Sequence, residues 1–455
     1  MKFHIFTFGC QMNVHDSDWL RSTLCAHGWT EGSEEDARVF IINTCSVREK
    51  PEQKVYSLLG RLAGHAGRRE GIFAAVGGCV AQQVGRKFLE RFPFVRLVFG
   101  TDQTGQVPET LSRLVERPKE RACLLDFERA YPEREIVRAK APGLVSHEPG
   151  SAYVTIMQGC DNFCAYCIVP YTRGRQKSRA SQAVLEECQE LLRLGVREIT
   201  LLGQNVNSYG KDKHGDGTTF AELLEQTASL PGLFRLRFTT SHPKDLSQDV
   251  VEAFARFENI CPHLHLPLQS GSDTVLKKMG RGYDMARYLG IARALKAARP
   301  DMALTTDLIV GFPGETDDDF KKTLDAVRTV GFEGGFSFMY SDRPRTRSLR
   351  MAPKITLEVK RERLACLQKL LDVRAEDALA ACTGLETEVM VAGRSKRPKY
   401  ENRASWRGRD MHGRVVNFTC PEKIGETDLA GKLVKVRILS PKKHSLWGEA
   451  TGEPW

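Results

Sequence analysis

Residues 153–167 read YVTIMQGCDNFCAYC. The apolar run Tyr153–Met157 predicts a strand, and it passes straight into a loop holding Cys160, Cys164 and Cys167. Three thiolates this close together can grip three irons of a four-iron cubane. No fourth cysteine lies nearby, so the fourth iron is left open for a small ligand. The amino and carboxylate groups of S-adenosylmethionine suit that position. An electron from the reduced cluster would then break the sulfonium bond and release a deoxyadenosyl radical. Two other readings stand beside this one: a zinc site completed by a His or a remote Cys, and core cysteines clustered by chance.

Downstream, apolar runs recur at Glu198–Leu202, Leu233–Phe238, His263–Leu268, Leu304–Val310 and Phe336–Tyr340. Each interval has room for a loop and a helix. With Tyr153–Met157 they make six βα units, which predicts a partial βα barrel with its active groups at the carboxyl ends of the strands. The segments there are MQGCDNFC, LLGQNVN, FTTSHP, HLPLQSGS, LIVGFPGE and FMYSDRP. Gln204, Asn205, Ser241, His242, Gln269 and Ser270 can all exchange hydrogen bonds with a bound molecule. Of these, Gln204, Ser241 and Gln269 are expected to face cofactor or substrate. His242 reads equally as a proton carrier or a loop cap. Asp307 lies within the fifth strand and needs a partner if it is buried. Arg173, Arg175 and Arg179 follow the cysteine loop and suit a cofactor carboxylate or RNA phosphate, with structural ion pairs as the alternative.

Upstream, residues 1–118 alternate strand-like runs (Phe3–Phe8, Val39–Ile42, Ile72–Val76, Val95–Phe99) with helical stretches such as Asp16–His27 and Val80–Arg91. That pattern predicts a parallel sheet covered by helices. Three of its strands run into cysteine loops, FTFGCQMN, FIINTCSVR and AAVGGCVAQ. Parallel strands end at one sheet edge, so Cys10, Cys45 and Cys79 are placed to converge. Residues 119–145 read as a linker and 146–380 as the barrel domain, closed by a long helix from Leu357 to Ala381. Residues 381–448 change to valine-rich runs between Gly, Pro and basic turns, which predicts a small antiparallel β barrel. Its basic stretches GRSKRPKY, SWRGRD and SPKKH are interleaved with Tyr400 and Trp406. Lys396 and Arg407 are candidate RNA contacts there. A plain solvated surface explains the same charges.

The 455 residues are 41% hydrophobic and 27% charged, which suits globular domains with a sizeable core. The net charge of +10 favours an anionic partner, nucleic acid first among them. No apolar run is long enough for a membrane span. The start, MKFHIFTFGCQMN, lacks the features of a signal peptide. A cytoplasmic location is therefore expected, and the 13 cysteines are expected to bind metal or react instead of forming structural disulfides.

The loop GCDNFCAYCIVPYTRGRQKSR resembles the signature of the radical S-adenosylmethionine superfamily, and more narrowly the methylthiotransferases. TFGCQMNVHDSD, NTCSVR, GGCVAQ, LLGQNVNSYG, RFTTSHP, HLHLPLQSGSDTVLKKMGRGY and TTDLIVGFPGET are similar to that family too. The resemblance runs from Lys2 to the tail barrel. It implies two [4Fe-4S] clusters, one on Cys160, Cys164 and Cys167 and an auxiliary one on Cys10, Cys45 and Cys79. It implies S-adenosylmethionine held with the help of Phe163, Tyr166, Gly311 and Gly314, and an RNA-binding tail. The radical would form at the first cluster and the sulfur be held at the second.

The branch that LLGQNVNSYG, RFTTSHP and the basic tail resemble acts on carbon 2 of N6-isopentenyladenosine at position 37 of transfer RNA. Other branches act on a ribosomal-protein aspartate or on a threonylcarbamoyl adenosine. A non-catalytic iron–sulfur carrier or RNA binder on the same scaffold is the reading from another class. An electron donor and a sulfur source are implied partners, and a monomer is expected. Two positions depart from the family pattern: Gln176 stands where a Glu is usual, and Arg345 stands where an Arg-Pro-Gly-Thr segment has glycine.

Overall fold

Strand β3 (Val39–Thr44) is buried at every position, which only a strand covered on both faces can be. The computed structural model describes residues 1–46, 49–67, 71–132, 148–395, 405–420 and 428–455. In it, β3 lies inside a parallel sheet with β1 (Lys2–Phe8), β2 (Thr30–Glu31), β4 (Phe73–Gly78), β5 (Val95–Phe99) and β6 (Ala122–Leu124), in the order β2-β1-β3-β4-β5-β6. Alternate side chains enter separate cores on the two faces. Phe40, Ile42, Ala74 and Val76 pack on one side, and Val39, Ile41, Phe73 and Ala75 on the other. Strand β6 lies inside the stretch read as linker and is instead the outer strand of this sheet. The later part of that stretch, 133–147, lies outside the described residues. Val80–Arg91, read as one helical stretch, falls in two helices, Cys79–Val84 and Lys87–Arg91, broken at Gly85.

The second block begins with β7 (Ser151–Thr155) and a short hairpin of β8 (Met157–Gln158) and β9 (Lys177–Ser178). Then come β10 (Glu198–Leu202), β11 (Arg235–Thr239), β12 (His263–His265), β13 (Ala303–Val310) and β14 (Gly334–Met339). Two parallel arcs, β7-β10-β11 and β12-β13-β14, are joined by a parallel bridge between Leu236 and Ile260. This is the expected partial barrel. Leu304, Leu308 and Val310 of β13 pack under the helices. Asp307 alternates to the other face and finds a partner in His265, whose Nε2 is 3.3 Å from its carboxylate. The helix Leu357–Ala380 closes the block, starting at the Thr356 cap.

The tail forms a closed barrel of β15 (Glu386–Arg394), β16 (Ser405–Arg409), β17 (Val415–Thr419), β18 (Leu433–Lys442) and β19 (Ser445–Ala450), in the ring order β15-β16-β17-β19-β18. Four pairs are antiparallel as expected, but β17 and β19 run parallel. Five strands cannot alternate direction all the way round a closed ring, so one pair must break the pattern. Arg235 and Arg237, near the amino end of β11, fasten this barrel to the core. Their guanidiniums donate to the carbonyls of Arg409, Glu388, Met411 and Asp410 at 2.7–2.9 Å. The tail barrel therefore grips the end of the core opposite the carboxyl-end loops.

Arg345 carries φ +67°, the left-handed conformation its glycine counterpart would adopt freely. Among the described residues Phe163, Thr240 and Gln269 are the other non-glycine residues with positive φ, and all four lie in loops beyond the strands' carboxyl ends. Strained backbone concentrated at one edge marks that edge as the working one. Replacing the exposed Arg345 by Gly is expected to stabilise the chain by up to about 1 kcal/mol, the left-handed strain less glycine's extra unfolded-state entropy. A rise in the urea midpoint at unchanged m-value would show it; a fall would mean the arginine side chain earns its place there.

Candidate active site

Cys160, Cys164 and Cys167 leave the β8–β9 hairpin in a loop tied down from several sides. At its root stands Gly159, φ +80°, where a Cβ would lie 2.0 Å from the Arg175 carbonyl oxygen; only glycine closes this hairpin. Gln204 Oε1 accepts the Gly159 N–H at 2.6 Å, so this side chain, expected to meet cofactor or substrate, holds the loop's backbone. Asn162 donates to Asp245 at 3.0 Å, and Asn205 donates to the same carboxylate at 2.8 Å. Phe163 is exposed, with its carbonyl accepting from Arg347. Cys164, Cys167, Phe163, Tyr171, Thr346 and Arg347 line a cleft.

Cys164 is the most enclosed of the three thiols and receives two donors. Arg281 Nη1 is 3.5 Å from its Sγ and His242 Nε2 is 3.8 Å away. Burial, then Arg281 and Lys244, push the His242 pKa down to about 2, so the ring is neutral. The Lys244 backbone N–H donates to Nδ1 at 3.2 Å, which leaves the proton on Nε2, pointed at Cys164. His242 is thus neither a proton carrier nor only a cap: it is a fixed N–H donor to sulfur. Arg281 also reaches Tyr166, at 3.4 Å, and the Pro267 carbonyl. It lies in MGRGY, inside a motif already quoted for resemblance, but nothing in its spacing pointed to sulfur. Burial raises the Cys160 thiol to about 11 and the Cys167 thiol to about 12. These thiols ionise when metal replaces the proton. Such N–H donors favour the more reduced, more negative state of a thiolate-held cluster. His242→Leu is therefore expected to lower the potential of a cluster at this trio. Redox titration followed by electron paramagnetic resonance measures it, and an unchanged midpoint would remove His242 from the site's electronics.

Ser241 is buried and its Oγ has no partner among the described residues, an orphan that fits a bound polar group. Gln269 sits in the β12 extension, its backbone bonded to Asp307 and Ile309. The space beside the Gly311 and Gly314 α-carbons is taken by Lys360 and Lys278. Gly311 donates its N–H to Glu315, which Arg363 holds at 2.7 Å. Both glycines thus serve the turn's own packing. Gln176, the departure from the family pattern, is buried and satisfied by Ser208.

The second trio gathers at the sheet edge, as the strand ends foretold. Cys10 caps the helix Gln11–Ala26, Cys45 follows β3 and Cys79 follows β4. Among the described residues no three His, Cys, Asp or Glu are packed as tightly as a single metal ion requires. The thiols nonetheless bond in a chain, with Cys45 between the other two. The Cys45 bond, then the Arg173 charge, lower Cys10 to about 6 and Cys79 to about 5, while Cys45, whose proton both neighbours share, is raised. Asn13, fully buried, accepts from Cys10 and donates to Asn43 at 2.9 Å, locking the first two loops together. Three thiols linked in a chain beside a buried guanidinium fit a cluster held by three cysteines.

The arginines after the cysteine loop do not form an RNA face. Arg173 is buried, with Nη2 3.6 Å from Asp16. Arg179 is buried too, bonded to the Thr155 carbonyl and to Glu187. Arg175 alone is exposed, paired with Asp161 at 2.6 Å and lying over the Phe163 ring. In the tail, Trp406 is buried in the barrel core under Arg394 and offers no stacking platform. Arg407 lies partly exposed on β16, while Lys396 and Tyr400 lie outside the described residues. Burial decides all these cases, and sequence carries no direct measure of it.

The two trios are neighbours. Cys160 donates its N–H to the Gly174 carbonyl, and the adjoining Arg173 lies beside Cys79 and Cys10. The domains bearing them are welded by a buried Lys177–Asp102 pair and by Thr101 bonded to the Thr172 carbonyl at 3.0 Å.

Residues 154–327 match the radical SAM superfamily, and residues 2–100 match the uncharacterized protein family UPF0004. The chain is 56% identical to a tRNA-2-methylthio-N(6)-dimethylallyladenosine synthase of Nitratidesulfovibrio vulgaris, covering 100% of this chain and 99% of that protein. It is 55% identical to the enzyme so named from Oleidesulfovibrio alaskensis, over 99% and 98% of the two chains. The corresponding Carboxydothermus hydrogenoformans protein is 43% identical over 98% of each. Among solved structures, the radical S-adenosylmethionine methyltransferase TsrM from Kitasatospora setae aligns with a TM-score of 0.55 at 14% identity, covering 76% of both chains. That likeness is one of fold alone.

Proposed function

The chain belongs to the tRNA-2-methylthio-N(6)-dimethylallyladenosine synthase family of radical S-adenosylmethionine enzymes, and on that premise we propose that it adds a methylthio group to carbon 2 of N6-isopentenyladenosine at position 37 of transfer RNA. The observation that carries this reading is the adjacency of two cysteine trios, joined through Arg173 and Gly174. An unactivated C–H bond offers neither a leaving group nor an acidic proton, so the reaction needs a radical and a separate store of sulfur. Iron–sulfur clusters at the two trios would supply these, with S-adenosylmethionine as the source of radical and methyl group.

The chain's own residues divide the work. Cys160, Cys164 and Cys167 hold the first cluster while Arg281 and His242 steady Cys164. Ser241 offers its unpartnered hydroxyl toward the bound molecules. Cys10, Cys45 and Cys79 hold the second cluster. The target base must leave its stack to reach this edge. The tail barrel, fastened to the core through Arg235 and Arg237, is the RNA-binding part in this reading.

The test is anaerobic reconstitution with reductant, S-adenosylmethionine and transfer RNA bearing isopentenyladenosine. Mass spectrometry of the digested RNA should show the methylthio gain on that nucleoside, and none on RNA lacking the isopentenyl group. Deoxyadenosine release without RNA modification would sink the substrate assignment and keep the radical chemistry.

A further inference from the structure

Arg173 comes from the loop after Cys167, yet its guanidinium lies in the N-terminal domain's pocket. The turn Val169–Thr172 packs against the helix Cys79–Val84 and delivers it there. The side chain is 4% exposed. Its Nη2 is 3.6 Å from the Asp16 carboxylate, too far for a hydrogen bond, and has no acceptor among the described residues. A buried N–H left without an acceptor costs about 1–3 kcal/mol. Such a cost persists where a group not made of protein completes the site. The same guanidinium lies beside Cys79 and Cys10. Three thiolates leave a cubane anionic in either redox state, and a buried anion needs a counter-charge.

We propose that Arg173 is a positioning residue for the cluster at Cys10, Cys45 and Cys79. It supplies the buried counter-charge beside that cluster's thiolates. The cluster's potential is thereby set by a residue of the other domain. This rests on reading that trio as a cluster site. Asp16, whose carboxylate lies 3.6 Å from the same guanidinium, opposes the effect, so the two residues act with opposite signs. A plain cross-domain ion pair would not: losing either partner would weaken the fold and leave the potential alone.

The experiment uses the full chain with Cys160, Cys164 and Cys167 all changed to Ala, so that only the second trio can hold iron. Absence of iron after reconstitution in this parent would sink the cluster reading itself. With iron present, Arg173→Gln should lower the midpoint potential, cutting the reduced-to-oxidised ratio at a fixed potential about tenfold or more. Asp16→Asn should raise it, and Arg173→Lys should stay near the parent. Unchanged potentials, or shifts of the same sign for Arg173→Gln and Asp16→Asn, would overturn the inference. Loss of the cluster in Arg173→Gln with retention in Arg173→Lys would support it. Loss in both would show a packing role and overturn it.

Discussion

Cys45→Ala protein will still release deoxyadenosine from S-adenosylmethionine but will add no methylthio group to RNA, whereas Cys160→Ala protein will do neither. Each product should fall to below about 0.1% of the parent rate, because the variant removes a group that performs the step. Cys45 is the informative choice in its trio. It is buried between Cys10 and Cys79, and its thiol is bonded to both. Removing it leaves two thiols that cannot hold a cubane by themselves. The first trio is built from another loop and keeps its own supports, Arg281, His242 and the Gln204 bond to Gly159. Iron analysis should find about half the parent content in each variant. Deoxyadenosine lost in Cys45→Ala protein that retains this iron would mean that the trios do not divide the work.

Arg237→Met should loosen the tail barrel from the core at a cost of about 3–5 kcal/mol. Arg237 donates to the Met411 and Asp410 carbonyls and pairs with Glu198 at 3.1 Å. Its loss strands the Met411 carbonyl, takes one of two donors from the Asp410 carbonyl, and leaves Glu198 with the Ser151 hydroxyl and with Arg235, 3.8 Å away. Asp410 adds to the cost. It is buried, and although burial raises its pKa, bonding to His412 and the charge of Arg414 hold it below the usual carboxylate range. Hydrogen exchange at Asp410–Gly413 should quicken, and transfer RNA should bind more weakly while deoxyadenosine release without RNA is unchanged. Arg237→Lys should recover part of the loss, since an ammonium pairs with Glu198 but cannot reach two carbonyls as a planar fork does. Unchanged exchange in Arg237→Met would mean that Arg235 and the Arg414–Glu333 pair carry the joint.

Much of this was legible in the chain. The run YVTIMQGC announced a strand and its cysteine loop, and six repeats announced the open barrel, because burying one face against helices imposes a pattern that residues display directly. Convergence of Cys10, Cys45 and Cys79 followed from topology, since parallel strands must end at one edge. Antiparallel closure of the tail failed on parity, which five strands in a ring impose and no residue displays. Ala122–Leu124 was taken for linker because three residues at a sheet edge carry too little pattern to register.

Side-chain destinations were legible least. Arg173, Arg175 and Arg179 look alike in YTRGRQKSR, yet one lies beside the second trio, one in solvent and one buried against Glu187 and the Thr155 carbonyl. His242 and Arg281 stand 78 and 117 positions from the thiol they share. The sequence by itself determined the three-part architecture and, through its family resemblance, the kind of chemistry to expect of six named cysteines, because strand periodicity and ligand type are properties of local chain. Tertiary structure alone decided which cations meet which sulfur and which end of the core the tail grips. Those contacts join residues far apart in the chain, and their energy depends on burial, which exists only once the domains have closed on one another.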